Sequence, residues 1–188
     1  MTDYFALLDQ PRRPWLDPEA LKEHFHKLTA AHHPDLSPDT GIDFSSITAG
    51  YQLLRNPKTR LRHLFELEFP DTLSEAKGIP SDLVDSFMQI ASALASFANL
   101  VKKLGSAQSP LAKALLATEQ SAVLSQLLAI SENLVREENS ILAELRQLDA
   151  SWPGEKSALL DPLAQIAQKL SFLLKWSDQI REAILRLS

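Results

Sequence analysis

The chain has 188 residues, 45% hydrophobic and 23% charged, enough for one domain or two small ones with a core that needs no covalent staple. It contains no cysteine, which excludes a disulfide framework and any thiolate metal or redox site and suits a reducing compartment, by default the cytosol. The net charge of −5 is spread evenly: 8 Lys+Arg stand against 10 Asp+Glu through residue 70 and 11 against 14 beyond it, so neither part has a nucleic-acid footprint.

The opening Met1-Thr2-Asp3-Tyr4-Phe5 has no basic start or apolar signal core, and no uninterrupted apolar run approaches the roughly 20 residues that span a bilayer. Neither export nor membrane insertion is expected. The first segment, Asp3 to Asp9, is apolar through Tyr4, Phe5, Leu7 and Leu8 and has room for a turn or two of helix. Asp17-Pro18-Glu19 is a helix start: a capping carboxylate, proline at the first helical position, and an acid at the positive end of the dipole. Leu21, Phe25 and Leu28 follow the i, i+4, i+7 spacing of a buried stripe, leaving Lys22, Glu23, His26 and Lys27 on a mildly basic outer face.

Pro34 disfavours the helical conformation at His33 and lacks an N–H, so this helix should end at about His32. Asp35 to Gly41 reads as loop. A third helix opens at Asp43, with Ile42 and Ile47 placed as a hydrophobic staple and Phe44, Ile47, Tyr51 and Leu54 as its stripe. Gly50 interrupts it at a cost of about 1 kcal/mol relative to alanine, and close approach of the second helix is the expected reason. Asn56-Pro57 ends that helix and caps a fourth, whose apolar positions are Leu61, Leu64, Phe65 and Leu67.

These residues carry a resemblance. Asp3-Tyr4-Phe5 with Leu7-Leu8, then Leu21, Phe25 and Leu28, then His33-Pro34-Asp35, then Phe44 through Gly50-Tyr51, Leu54, Asn56-Pro57 and Arg60 are similar to a complete J-domain of the DnaJ type. Within that family, the opening and the run from Leu54 to Phe65 most resemble the HscB-type co-chaperones of iron-sulfur cluster assembly. The resemblance implies that His33, Pro34 and Asp35 dock on a DnaK-type ATPase chaperone and trigger its ATP hydrolysis, with Lys22, His26 and Lys27 as auxiliary contacts. The loop is chemically suited to docking, since proline fixes the backbone, the Asp35 carboxylate can pair with an arginine, and the His33 ring offers a donor and an acceptor. The chain departs from the pattern at Leu36 (usually lysine), Gly50 (usually alanine) and His63 (usually aromatic), and its second helix is less basic. These departures leave the motif whole and bear on its electrostatic docking.

After a connector at residues 70–80 the pattern is all helix. Leu83, Phe87, Ile90, Leu94, Phe97, Val101 and Leu104 step by 4 and 3, a heptad seam. Leu127, Leu134, Ile141 and Leu148 recur every seven residues, with Val123, Ile130 and Leu145 beside them. Leu159, Leu163, Ile166, Leu170, Leu173, Ile180, Ile184 and Leu187 form a third run, broken only by Ser177. The expected fold is all-α: an N-terminal J-domain (1–69) built on an antiparallel hairpin of its second and third helices, the connector (70–80), and a C-terminal three-helix antiparallel bundle (81–188). The first bundle helix has a second stripe, Val84, Met88, Ala91, Ala95 and Ala98, which either packs on a second neighbour or forms a client-binding face.

His24 and His26 point about 200° apart on a helix, and no carboxylate or cysteine completes a tetrahedral set around the histidines, so no metal or cofactor is expected. Arg55, Lys58, Arg60 and Arg62 are broken by Asn56-Pro57; they cap and solvate, with Arg60 tying the fourth helix down. No phosphate loop, nucleophile elbow or metalloprotease motif occurs, and no enzymatic activity is expected. The chain therefore reads as a monomeric, cytoplasmic co-chaperone delivering a client, which the HscB resemblance makes the iron-sulfur scaffold protein. The rival is a structural or regulatory adaptor with a silent J-like domain and a self-associating bundle. HscB-type bundles begin with an acidic, arginine-containing helix, a pattern that Leu83 to Leu104 lacks.

Overall fold

In a computed structural model of the chain, residues 2–31, 44–70, 78–154 and 156–187 are described. They form seven α-helices: α1 (Tyr4–Leu7), α2 (Pro18–Ala31), α3 (Phe44–Arg55), α4 (Pro57–Glu68), α5 (Val84–Ser106), α6 (Pro110–Ser151) and α7 (Leu160–Leu187). Short 3-10 turns, Ser81–Leu83 and Lys156–Leu159, lead into α5 and α7. No strand occurs among the described residues. The backbone divides into two compact units, Met1–Ala76 with Ala143–Ala167, and Lys77–Leu142 with Gln168–Ser188, so α6 and α7 each pass from one unit to the other.

Helix ends follow the local chemistry. Asp17 accepts from the Glu19 and Ala20 amides at 3.0 Å, Asn56 from Lys58 at 3.0 Å, and Ser109 from Ala112 at 3.1 Å, supplying acceptors that the first turn of a helix lacks. Proline occupies the first position of α2, α4 and α6. The expected cap and staple of α3, Asp43 and Ile42, lie outside the described residues.

In the first unit α3 is the centre, packed by α1, α2 and α4. Phe5, Leu8, Leu21, Ile47, Leu54, Leu61 and Leu64 are sealed from solvent. Phe44, expected in the buried stripe, is 38% exposed at the first position of α3. Gly50 is buried for a reason other than the expected one: a β-carbon there would lie 2.8 Å from Cδ1 of Tyr4 and 3.4 Å from Cδ1 of Leu8. The close approach comes from α1, not α2.

Polar side chains lock the same unit. Arg60, 3% exposed, donates from Nε to the Pro14 carbonyl at 2.9 Å and from Nη1 to the Leu54 carbonyl at 2.8 Å. Burial pulls its pKa down to about 10 against the attraction of Asp149, which leaves it cationic at neutral pH. Asp149, 6% exposed near the end of α6, accepts from Arg13 at 2.5 and 3.1 Å and from the Trp15 amide at 3.0 Å. The indole of Trp152 donates to the Arg12 carbonyl at 2.8 Å. The segment between α1 and α2 is thus held by backbone-directed bonds from Arg60 and from the α6 end.

In the second unit, Ser86–Glu137 (2.5 Å) and Lys103–Glu119 (2.7 Å) run α5 antiparallel to α6. Phe87–Trp176, Arg186 over Phe97, and Asp82–Lys169 (2.6 Å) set α7 parallel to α5. The result is an up-down-up three-helix bundle. The α6 stripe is buried as its spacing predicts, with Val123, Leu127, Ile130, Leu134 and Ile141 at 7% exposure or less. The α5 seam is shifted: Ile90 is joined in the core by Ala93 and Leu100, while Phe87 is 36% exposed and Leu94, Phe97, Val101 and Leu104 are half-buried. In α7 Trp176 is buried beside the polar gap at Ser177, so the stripe rotates by one residue there without breaking.

Candidate functional site

Phe25 of α2 and Tyr51 of α3 stack at 4.2 Å between ring centroids, with planes 15° apart. This closes the hairpin through the inner face of α2, so its outer face turns to solvent. Lys22, His26 and Lys27, as well as Glu23, are exposed. Lys22 and His26, four residues apart, share one helical face, and Lys27 adjoins it. His33, Pro34 and Asp35, together with Leu36, lie outside the described residues, between the end of α2 and the start of α3.

The second candidate face is on α5. Val84 is 43% and Met88 61% exposed, and Ala91, Ala95 and Ala98 are also exposed. α5 does pack against two neighbours, α6 and α7, but through its other flanks, and this stripe stays exposed. By length and composition, Ser81–Ser106 is long and apolar enough to cross a membrane, with mean hydropathy 1.2 and 17% of that window buried. A count of uninterrupted apolar runs does not detect this helix, whose apolar residues are interspersed with polar ones. Ile90, Ala93 and Leu100 supply its core side, Phe87, Leu94, Phe97, Val101 and Leu104 flank it, and the uncovered stripe adds to its apolar character.

The basic cluster at the α3–α4 junction separates by environment. Arg60 is the buried lock, Arg62 pairs with Glu66 at 3.0 Å, and Arg55 lies over the Tyr51 ring at 5.8 Å. Asp149 and His63 are structural groups to which the sequence pattern assigns no role. Asp149 gives no local signal, since its partners Arg13 and Trp15 are more than 130 positions away. His63 does carry one, as the residue standing where the J-domain pattern has an aromatic.

Compared with solved structures, the chain superimposes on chaperone HscB from Vibrio cholerae with a TM-score of 0.62, over the whole of both chains, at 19% sequence identity. The fold is that of HscB. It comprises an N-terminal J-domain followed by a helical bundle. In sequence, the chain is 37% identical over 59 residues to DnaJ homolog subfamily A member 4 of Homo sapiens, covering 31% of this chain and 14% of that protein. It is 33% identical over 73 residues to a co-chaperone protein HscB homolog of an Azoarcus species, covering 35% of this chain and 41% of that protein. The chain thus spans less than half the length of these curated relatives. No family model matches.

Proposed function

We propose that the chain is a cytosolic J-domain co-chaperone, in which the His33-Pro34-Asp35 loop docks on a DnaK-type ATPase chaperone and stimulates its ATP hydrolysis. The observation that carries this reading is the α2–α3 hairpin: its inner side is closed by the Phe25–Tyr51 stack, its outer side presents Lys22, His26 and Lys27, and the chain joining its two helices contains the tripeptide. An exposed basic face meeting an acidic partner steers encounter more than it tightens the complex. With Glu23 on the same helix and Leu36 after the tripeptide, that steering is modest here.

The same reading divides the labour along the chain, with residues 1–69 docking on the chaperone, 70–80 connecting, and 81–188 binding the client. The α5 stripe of Val84, Met88, Ala91 and Ala95 is the client face, and an HscA-like chaperone and the iron-sulfur scaffold protein are the partners that the HscB fold suggests. No step of covalent chemistry falls to this chain, whose contribution is to bind and to orient. The uncovered α5 stripe also favours a second reading, a self-associating adaptor, which sedimentation at high concentration tests directly: a monomer removes it.

Replacing His33 with Gln should abolish stimulation of the chaperone's ATP turnover while leaving the helical content unchanged. Full stimulation by that variant would sink the docking assignment. For the client face, Met88→Glu in the intact chain should reduce capture of the scaffold protein at least tenfold without altering ATPase stimulation, and unchanged capture would remove α5 from the client site.

A further inference from the structure

Tyr4 opens α1, and its amide is one of those a helix start cannot satisfy from within. Asp3 takes two neighbours, accepting from Phe5 at 3.0 Å and Ala6 at 3.2 Å. The Tyr4 amide instead donates to Nε2 of His63 at 3.1 Å. The imidazole is 2% exposed, lies parallel to the Phe5 ring at 5.7 Å, and sits 5.4 Å from the Tyr4 ring. Because Nε2 accepts, the ring proton resides on Nδ1, which faces Glu66 Oε2 at 3.8 Å. The Tyr4 ring itself rests on Gly50, where a β-carbon would collide with it. Two positions at which the chain departs from the J-domain pattern, Gly50 and His63, therefore meet on one residue of α1.

We infer that His63 is a proton-operated latch for α1, holding the helix against α3 and α4 while its ring is neutral and releasing it when Nε2 gains a proton. Protonation removes the acceptor of the Tyr4 amide, sets N–H against N–H, and leaves a cation cut off from water. The charged groups around the ring do not prevent this. Glu66 on α4 and Asp3 at the α1 start attract the cation, but Glu66 is bonded to Arg62 and Asp3 to Arg12, which itself repels it and lies 3.5 Å from Glu68. On α3, Gly50 lies against the Tyr4 ring and bears no charge.

Burial, more than those charges, sets the balance and holds His63 below its ordinary value of 6.5. Below pH 6.5 the open form therefore binds a proton that the latched form refuses. Latching is complete above that pH and is lost as the pH falls through 6.5 toward the lower value of the latched state.

The test is amide hydrogen exchange with NMR on the intact chain between pH 8 and pH 5. The protection factor of the Tyr4 amide, and of Leu7 and Leu8 behind it, should fall by up to about tenfold per pH unit below about 6.5, the limit for one proton. Protection of the Leu127 and Leu134 amides in α6 should stay flat. His63→Gln keeps an oxygen acceptor for Tyr4 and cannot titrate, so the fall should vanish. Should that variant be loosened at every pH, the His63 ring resonances of the parent chain decide: they should titrate below the ordinary histidine value of 6.5. Constant Tyr4 protection down to pH 5, an undiminished fall in His63→Gln, or a His63 midpoint at or above 6.5 overturns the latch.

Discussion

Each of the two compact units is stabilised internally, and by different means. The J-domain unit depends on single polar side chains that reach backbone groups far away in sequence: Arg60 to Pro14 and Leu54, Asp149 to Trp15, His63 to Tyr4. The bundle unit depends on repetition, with one apolar residue per turn along α6 facing similar stripes on α5 and α7. Its polar ties, such as Lys103–Glu119, lie at the rim, where an exposed pair contributes at most about 1 kcal/mol. A stripe spreads its stabilisation over many equivalent positions and tolerates exchange at each. A lock concentrates it on one residue, because removing that residue strands buried partners. Four short helices cannot build long stripes, and their connecting segments carry carbonyls that must be satisfied on the inside.

This contrast orders the expected effects. Arg60→Ala should be the most damaging single change, losing about 4 kcal/mol in urea unfolding, since the Pro14 and Leu54 carbonyls lose their charged donor and a cavity remains. Arg60→Met, which restores the volume but not the donors, sharpens the point: if it unfolds like the parent chain, the lock is mere packing. Leu127→Ala, sealed in the bundle core, should cost about 3 kcal/mol through cavity formation alone, and Leu127→Met should recover most of it. A larger loss for Leu127→Ala than for Arg60→Ala would reverse the comparison. Gly50→Ala gains about 1 kcal/mol of helix propensity and loses more by displacing the Tyr4 ring, a net cost of about 1 kcal/mol. A more stable Gly50→Ala protein would show that Tyr4 moves aside without penalty.

The two candidate faces differ in the same way. That on α2 is a few exposed charges, Lys22, His26 and Lys27; that on α5 is a stripe of Val84, Met88, Ala91, Ala95 and Ala98 whose uncovered state follows only from the positions of α6 and α7. Ala93 and Leu100 show why spacing could not choose. An α5 seam drawn through its largest apolar residues points at one partner, whereas the helix touches two, and the core falls between them.

Most helix limits, the caps of α2 and α4, the α6 stripe, most of the α7 stripe, and the J-like order of anchors around His33-Pro34-Asp35 were legible from sequence, because each is a relation among residues a few positions apart. The role of Gly50 as a seat for Tyr4, the clamp of Asp149 on Arg13 and Trp15, the burial of His63, and the exposure of the second α5 stripe were decided only by tertiary structure. They depend on which surfaces meet across tens of residues of chain, and a local pattern states that a face is apolar or a group is polar without stating what lies opposite it.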